Sequence, residues 1–374
     1  MVQKTTRVLI VDDSALMREL IQDLLKDQPG IEVVGTASDG MEAIRQAERL
    51  RPDVVTLDVQ MPKMDGLETL QRLLEKRPVP VLMLSAATKL GGDTTLEALE
   101  RGAIDYLAKP EGLRQAEGPL RDELCRKIRS AAGVDVLKII AMRKARAEKR
   151  HQRREDFASK PGLGLVSPSS IEPATNLDQQ LIAIGISTGG PPALAGMFES
   201  LSASLPPIVI VQHMPPNFTK AFADRLNSLS RVSVKEAETG DVLKAGHAYL
   251  APGGFHLEVR RHGSDGGKLA VFDGPSVSGH RPSVDVMMRS AAKVFGNRVL
   301  GVVMTGMGRD GSDGCGAIRA AGGFVLGQDE RTSDIYGMNK VAMLEGNVDR
   351  QFSLEDAPTM LVAYAKKLPR GVLV

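Results

Sequence analysis

Five short runs with strand character alternate with helical patterns in the first third of the chain, and this alternation constrains the fold most. The runs are residues 8–11, 31–37, 54–57, 79–84 and 105–108. Between the first two, apolar residues recur at helical spacing, as in Leu20 and Leu24, and Ser14 is suited to cap that helix. Strands that alternate with helices predict a parallel, doubly wound sheet. We therefore expect an N-terminal α/β domain with five parallel strands.

Polar side chains stand at the ends of four of these strands. They are Asp12 and Asp13 after the first strand, Asp58 after the third, Ser85 after the fourth and Lys109 after the fifth. Because ligands of such sheets bind at the carboxyl ends of the strands, these side chains are expected to share one site. Three carboxylates in one place repel unless a hard cation joins them, and Mg²⁺ prefers oxygen ligands. Asp58 can then accept a phosphoryl group, whose oxygens Ser85 and Lys109 could bind. Any one of these residues could instead simply end a strand in solvent.

With these residues, positions 5–125 resemble a response-regulator receiver domain. The resemblance rests on Asp12, Asp13, Asp58, Met61-Pro62, Asp65-Gly66, Ser85, Tyr106 and Lys109-Pro110. It implies a flavodoxin-like fold and phosphorylation of Asp58 by a histidine kinase, with Mg²⁺ bound by Asp12, Asp13 and Asp58. It also implies that Ser85 and Tyr106 report the phosphate to one face of the domain.

Residues 126–177 differ in composition from the parts on either side and are predicted to form a linker. Residues 143–155 are dense in charge, and residues 160–173 are rich in Pro, Gly and Ser. This pattern predicts a linker that is helical in its first part and flexible after Lys160. A basic run could bind nucleic acid or anionic lipid. Its glutamates dilute the charge, however, and no aromatic residues interleave, which favours a solvated linker.

A strand–turn–helix pattern in the second half centres on a serine. The apolar run 181–184 stops at Gly185, and Ser187 precedes Thr188, two glycines and two prolines. Gly185 to Gly189 fits the G-x-S-x-G turn, which lifts a serine hydroxyl above the end of a sheet. To act as a nucleophile, a serine needs a general base and a group that orients the base. The turn could instead bind phosphate at a helix N-terminus. A dinucleotide site is a weaker alternative, because the full G-x-G-x-x-G spacing is missing.

Two further strand ends offer the partners that such a serine needs. His213 directly follows one apolar strand pattern, and Asp310 lies in the glycine-rich turn after another. His213 is preferred as the base because of this position, with His280 as its rival. Asp313 competes with Asp310, which is preferred because it follows its strand sooner. The order Ser, His, Asp and the missing HGGG-type loop indicate a lineage separate from the α/β hydrolases.

The rest of the second half again alternates strands with helices. Strand patterns cover residues 208–211, 299–304 and 323–327, and helical patterns cover residues 219–229 and 283–295. Three short alternating runs between glycine-rich turns predict an antiparallel extension: residues 247–251, 255–261 and 268–272. Residues 178–372 are therefore expected to form a doubly wound, mostly parallel α/β catalytic domain with an antiparallel β extension.

Nearly the whole chain resembles the CheB family of chemotaxis protein-glutamate methylesterases. The resemblance rests on four motifs that follow the receiver in this order: IGISTGG, QHMPPNFT, HRPSVDV and TGMGRDG. It implies that Ser187 is the nucleophile, His213 the base and Asp310 the group that orients the base. It also implies that backbone N–H groups near Thr188 and Met307 bind the oxyanion, and that the esterase site needs no cofactor.

The same resemblance implies the reaction and its partners. The substrate would be a γ-glutamyl methyl ester on a chemoreceptor, hydrolysed with release of methanol for adaptation in bacterial chemotaxis. Some relatives also deamidate receptor glutamines. The histidine kinase of the pathway would be the phosphodonor, and we expect a monomer. We further expect the unphosphorylated receiver to cover the esterase cleft until Asp58 is phosphorylated.

The composition of the chain argues against nucleic-acid binding. The formal net charge is +2, there is no Trp and 3% of the residues are aromatic, so nucleic-acid binding is not expected. A response regulator with a DNA-binding output is the alternative, but most such outputs are small and carry a basic recognition helix. Two distant cysteines, a start unlike a signal peptide and no apolar run of ~18 residues predict a cytoplasmic protein without membrane insertion.

Overall fold

The N-terminal domain is built on a five-stranded parallel sheet. The computed structural model describes residues 5–86, 89–109, 117–158 and 177–369. The strands are β1 (Thr6–Val11), β2 (Ile31–Ala37), β3 (Val54–Asp58), β4 (Val81–Ser85) and β5 (Asp105–Ala108). Their order is β2-β1-β3-β4-β5, and every neighbouring pair is parallel. This confirms the predicted fold class. Strand β4 begins two residues later than predicted, since Pro80 has no N–H to donate to the ladder.

Among the described residues of this domain, five helices accompany the sheet. They are α1 (Ala15–Leu25), α2 (Gly40–Leu50), α3 (Gly66–Lys76), α4 (Lys89–Arg101) and α5 (Glu117–Ala132). Ser14 accepts a hydrogen bond from the backbone N–H of Met17, which confirms the predicted cap of α1. The first three helices all begin after a side-chain cap, and each buries its apolar face against the sheet.

A long helix, α6 (Val136–Ala158), follows the receiver domain. Its first turns pack against the receiver core through Val136 and Ile139, which are buried. Helix α5 runs on to Ala132, across the boundary placed at residue 125. The boundaries 5–125, 126–177 and 178–372 stay predictions, and the segment after Lys160 that was predicted to be flexible lies outside the described residues.

The second domain contains a larger parallel sheet and a separate hairpin. Its strands are β6 (Leu181–Ile186), β7 (Ile208–Gln212), β8 (Ser233–Glu236), β9 (His247–Leu250), β10 (His256–His262), β11 (Gly266–Phe272), β12 (Val299–Val303), β13 (Phe324–Gln328) and β14 (Arg350–Phe352). Seven of them form a sheet of order β14-β13-β12-β6-β7-β9-β8, in which all pairs are parallel. Strands β10 and β11 form the antiparallel extension.

One strand assignment from the sequence was wrong. β9 does not belong to the antiparallel extension but lies between β7 and β8 as a parallel strand. Its residues Ala248, Tyr249 and Leu250 are all buried, as in a strand covered on both faces. Strands β8 and β14 have only four and three residues, and the sequence pattern did not indicate them.

In the described part of the second domain, six helices cover the two faces of the large sheet. They are α7 (Gly190–Phe198), α8 (Phe218–Leu229), α9 (Val284–Phe295), α10 (Ser312–Ala320), α11 (Met338–Leu344) and α12 (Ala357–Ala365). Alternate residues of β6 enter different cores: Ile182 and Ile184 join the core with α7 and α8, while Ala183 joins the core with α9. The strand is therefore covered on both sides, and only its carboxyl end is left to build a site.

The receiver and the second domain are in contact. Helix α4 packs against α7 and α8, and the ring of Tyr106 lies 4.9 Å from that of Phe218. Arg225 of α8 binds the Glu100 carboxylate of α4 through two nitrogens. The apolar cluster at this junction is continuous between the domains. Within the described ranges, no helix combines the length and the apolarity that a membrane span requires.

Candidate functional site

The carboxyl ends of β1, β3 and β5 bring together an acidic cluster and a lysine. Carboxylate oxygens of Asp12, Asp13 and Asp58 all lie within 4.8 Å of one another. Lys109 Nζ lies 2.7 Å from Asp12 Oδ2 and 2.8 Å from Asp58 Oδ2. Burial raises the pKa of Asp58, although Lys109 acts in the opposite direction. The pKa of Lys109 is raised because the two carboxylates outweigh the effect of burial. The cluster is consistent with Mg²⁺ binding.

The two residues predicted to respond to phosphorylation lie at the neighbouring strands. Ser85 ends β4 and is fully buried, and its backbone carbonyl accepts the N–H of Lys109 at 2.7 Å. Tyr106 points its ring into the domain interface, where burial raises the pKa of its phenol. Among the described residues, the buried Tyr106 hydroxyl has no hydrogen-bond partner. Gly66 lets the start of α3 lie close to the end of β3, since a Cβ at this position would lie 2.2 Å from the Asp58 carbonyl oxygen.

Ser187 sits in a tight turn between β6 and α7. Its N–H donates to the carbonyl of Thr305 at 3.0 Å, and its own carbonyl accepts the N–H of Gly190 at 2.8 Å. Gly189 has a φ of 80°, and a Cβ at Gly190 would come within 1.9 Å of Gln212 Oε1. The turn therefore depends on both glycines, as the G-x-S-x-G pattern with its extra glycine indicates.

His213 and Asp310 are brought together beside that turn. The His213 N–H donates to the carbonyl of Ile186 at 3.1 Å, so His213 follows the strand next to the one that leads to Ser187. His213 Nε2 lies 2.8 Å from Asp310 Oδ2. A carboxylate only accepts, so Nε2 carries the proton and Nδ1 is the basic nitrogen. In the part of the chain that the structure describes, Nδ1 is buried with no hydrogen-bond partner.

The N-terminus of α9 holds Asp310 in place. Its carboxylate accepts hydrogen bonds from the Ser283 hydroxyl at 2.8 Å and from the backbone N–H groups of Val284 and Asp285 at 2.8 and 3.1 Å. Burial acts in the other direction, but these bonds and the contact with His213 hold the pKa of Asp310 far below its usual range. Asp310 is therefore ionised and oriented when it accepts from His213.

Asp313 and His280, the alternatives for the acid and the base, do not form the pair that His213 and Asp310 form. Asp313 forms ion pairs with Arg289 and Arg309 at the surface and does not contact His213. His280 stacks on His213 with ring centroids 3.7 Å apart and an angle of 4° between the planes. His280 was expected near the site as a rival base, but its stacking on His213 was not predicted, because a sequence pattern gives neither the distance nor the angle between two rings.

Ser283 and Asp285 also support the site, and neither was among the residues predicted from the sequence. Asp285 Oδ1 accepts the N–H groups of Gly311 and Gly314 at 2.9 and 2.7 Å, and so ties the loop that carries Asp310 to α9. The signal that could have found them is the Ser-Val-Asp sequence at the start of a helical pattern, which is typical of an N-cap.

The predicted oxyanion donors flank Ser187. Within the described chain, neither the backbone N–H of Thr188 nor that of Met307 donates a hydrogen bond. Gly306 lies between the two segments, and a Cβ there would come within 2.7 Å of Ser187 Cβ. The Thr188 hydroxyl donates to Asp105 Oδ2 of the receiver at 2.6 Å. The carboxyl end of the large sheet thus carries a serine, an oriented imidazole and, within the described chain, two N–H groups that donate no hydrogen bond, and the receiver contacts this end through Asp105.

Fold and site together define a class: a response regulator whose output is an α/β domain with a serine turn and a paired histidine and aspartate at the carboxyl end of its sheet. Comparison with known proteins agrees. A family model for the response regulator receiver domain matches residues 8–117, and one for CheB methylesterase matches residues 182–361. The chain belongs to the CheB family, the protein-glutamate methylesterases with an N-terminal receiver. The alternative of a DNA-binding output was therefore wrong.

The relatives match over almost their whole length. A protein-glutamate methylesterase/protein-glutamine glutaminase of Pyrococcus abyssi is 44% identical over 373 residues, which cover 98% of this chain and 95% of the relative. The protein of the same name from Escherichia coli is 41% identical over 359 residues, with 96% of both covered. The crystal structure of the Thermotoga maritima CheB methylesterase catalytic domain is 38% identical, with a TM-score of 0.48 over 49% of this chain and 97% of that one.

Proposed function

We propose that the second domain hydrolyses γ-glutamyl methyl esters of chemoreceptors, with Ser187 as nucleophile, His213 as general base and Asp310 as the group that orients the base. The observation that carries this proposal is the His213–Asp310 pair, which leaves the basic Nδ1 free in the rim beside the Ser187 turn. Relatives are named for methyl-ester and glutamine substrates, so we extend the proposal to deamidation of receptor glutamines at the same site.

The proposed reaction assigns one role to each of these groups. The Ser187 oxygen attacks the ester carbonyl while its proton passes to His213 Nδ1, and the N–H groups of Thr188 and Met307 stabilise the oxyanion. The C–O bond to the methoxy group then breaks, His213 returns the proton, and methanol leaves. Water, deprotonated by His213, cleaves the glutamyl–serine ester and regenerates the hydroxyl. Asp310 remains ionised throughout and supports the protonated imidazole.

The test is methanol release from methylated receptor. Ser187→Ala should abolish the activity, and Asp310→Asn should lower kcat by about 10⁴, by analogy with other triads. Retained activity in the Ser187 variant would contradict the assignment. If Ser187→Ala loses the activity but Asp310→Asn keeps it, the role proposed for Asp310 is wrong and that of Ser187 stands.

We infer that the receiver accepts a phosphoryl group on Asp58 from a histidine kinase. Asp12, Asp13 and Asp58 would hold Mg²⁺, which when bound would neutralise carboxylate and phosphoryl charge. Lys109, already within 2.8 Å of Asp58 Oδ2, is placed to bind a phosphoryl oxygen, and Ser85 adjoins it. Asp58→Asn should remove the stimulation of esterase activity by a small phosphodonor with Mg²⁺ and leave the basal activity unchanged.

We also propose that the docked receiver restrains the esterase. The contact of Thr188 with Asp105 supports this, because substrate must reach the residue next to Thr188. A coupling of ~1–3 kcal/mol would change activity 5–150-fold. A fragment that begins near Asn176 should therefore be more active than the unphosphorylated whole protein. Equal activity of the two would contradict the restraint.

A further inference from the structure

A second imidazole lies at the site and has no part in the reaction proposed above. The ring of His280 lies parallel to that of His213, at a centroid distance of 3.7 Å and an interplanar angle of 4°. The edge of His213 is engaged by Asp310 at Nε2, and one face is covered by His280. Only 8% of the His213 side chain is exposed, so its ring is held both at an edge and on a face.

The backbone presents His280 rigidly. Val277 and His280 exchange two backbone hydrogen bonds, of 3.1 and 3.0 Å. The residues between them, Ser278 and Gly279, both have positive φ, 53° and 78°, as in the two-residue turns of tight hairpins. On the other side, the Arg281 carbonyl accepts the N–H of Gly254 at 3.1 Å. The backbone that carries His280 is therefore fixed beside the site by these hydrogen bonds, and the ring stacks on His213 from this anchored position.

Burial and the neighbouring charges keep the ring of His280 neutral. Burial is the largest cause, followed by His213 and by Arg126 of α5, with Lys127 also acting in this direction; Asp310 opposes them. Together they lower the pKa of His280 to about 2. The His280 ring is therefore uncharged at neutral pH, and it is His213, not His280, that is hydrogen-bonded to Asp310.

On the basis of the proposed function, we propose that His280 is a positioning residue for the general base. Its neutral ring, stacked on His213, prevents rotation of that imidazole and so directs Nδ1 toward the Ser187 turn while Nε2 stays on Asp310. A neutral π face beside His213 also favours the imidazolium that forms during the reaction, whereas a second cation there would oppose it. Errors of about 1 Å in such positioning can lower rates ~10²-fold.

Two variants of the full-length protein separate stacking from hydrogen bonding. His280→Phe keeps a ring of similar shape and loses both nitrogens, while His280→Asn keeps a polar group and loses the ring. We expect His280→Phe to stay within about threefold of wild type in kcat. We expect His280→Asn to lose about 10- to 100-fold in kcat, with little change in KM. Methanol release from methylated receptor, with and without a small phosphodonor, measures both.

The pH profile separates a positioning residue from a general base, and the fall in kcat at nearly constant KM separates positioning from a general loss of folding. If His280 only positions His213, the acid limb of kcat/KM keeps its midpoint in His280→Phe. If His280→Phe loses both its activity and the acid limb of the kcat/KM profile, His280 is itself the base. Equal losses in the two variants, or full activity in His280→Asn, would also overturn the proposal. Failure of the proposed function is distinguishable, because then Ser187→Ala would retain activity whatever happens at His280.

Discussion

The hydroxyl of Thr188 donates a 2.6 Å hydrogen bond to the carboxylate of Asp105, and this bond joins the two domains at the candidate nucleophile. Both residues are only 7% exposed. Asp105 also pairs with Lys127 at 2.8 Å and directly precedes Tyr106, the predicted switch residue. The strand that carries the switch is therefore bonded to the turn that carries Ser187, which offers a short route between the two proposed sites.

Removal of this contact should activate the unphosphorylated protein. In Asp105→Ala, the Thr188 hydroxyl and the Lys127 ammonium lose their buried partner, which destabilises the docked arrangement. We expect basal methanol release to rise, within the 5–150-fold that a coupling of ~1–3 kcal/mol allows. The matched control is Glu68→Ala, which removes an exposed pair with Arg72 inside α3. Unchanged basal activity in Asp105→Ala would show that this bond does not restrain the esterase.

The buried carboxylate of Asp285 should make stability depend on pH. Burial, with nearby Asp310, raises its pKa to about 6, although backbone N–H groups such as that of Gly314 oppose this. At a pH above 3.8, the ordinary pKa of an aspartate, Asp285 ionises readily in the unfolded chain but not in the folded protein. The free energy of unfolding therefore falls as the pH rises from about 4 to about 6, and it stays lower at higher pH. Asp285→Asn keeps an oxygen acceptor and removes the charge. We expect it to raise the free energy of unfolding by about 1–3 kcal/mol near pH 7.5.

The comparison that tests this is denaturant unfolding of wild type and Asp285→Asn at pH 4 and at pH 7.5. At pH 4 the difference should largely vanish, because Asp285 is then mostly protonated in the folded protein. A constant difference at both values would contradict the link to ionisation.

Tyr106→Phe should not destabilise the protein. Within the described residues the buried Tyr106 hydroxyl has no partner, so its removal loses no hydrogen bond and relieves the burial of an unpaired polar group. We expect the free energy of unfolding to be unchanged or up to ~1–2 kcal/mol higher. Tyr249→Phe is the control, because that hydroxyl donates to the Val242 carbonyl at 2.8 Å and its loss should destabilise by about 1 kcal/mol. Urea unfolding followed by circular dichroism measures both; a clear destabilisation by Tyr106→Phe would indicate a partner for its hydroxyl.

Gly306→Ala should impair catalysis through Ser187. The new Cβ would lie 2.5 Å from Met338 Sδ and 2.7 Å from Ser187 Cβ, so the serine or its neighbours must shift. We expect kcat for ester hydrolysis to fall by about 10², with a smaller effect on KM. Gly274→Ala serves as control, since a Cβ there makes only ordinary contacts, the nearest at 3.5 Å. If both variants keep wild-type kcat, the Ser187 turn tolerates displacement.

Much of the architecture was predictable because local pattern and global fold agree. The apolar runs of β1 and β3 are buried on both faces, so they read as strands without knowledge of their neighbours. The runs 247–251 and 255–261 looked alike in sequence, yet only the second joins the hairpin. Their difference lies in which strands they pair with, and pairing between distant segments leaves no trace in a short window.

The polar side chains at strand ends can be identified from the residue order alone, because a strand end is marked by the change from apolar to polar residues. The candidates Asp58, Ser187, His213 and Asp310 follow from that change. The contact of Asp310 rather than Asp313 with His213, and the stacking of His280 on that ring, became visible in the folded protein alone, since hydrogen bonds and stacking depend on distances of about 3–4 Å and on angles between groups. Those distances arise only when α9, the 277–280 turn and the receiver are packed around the same sheet end.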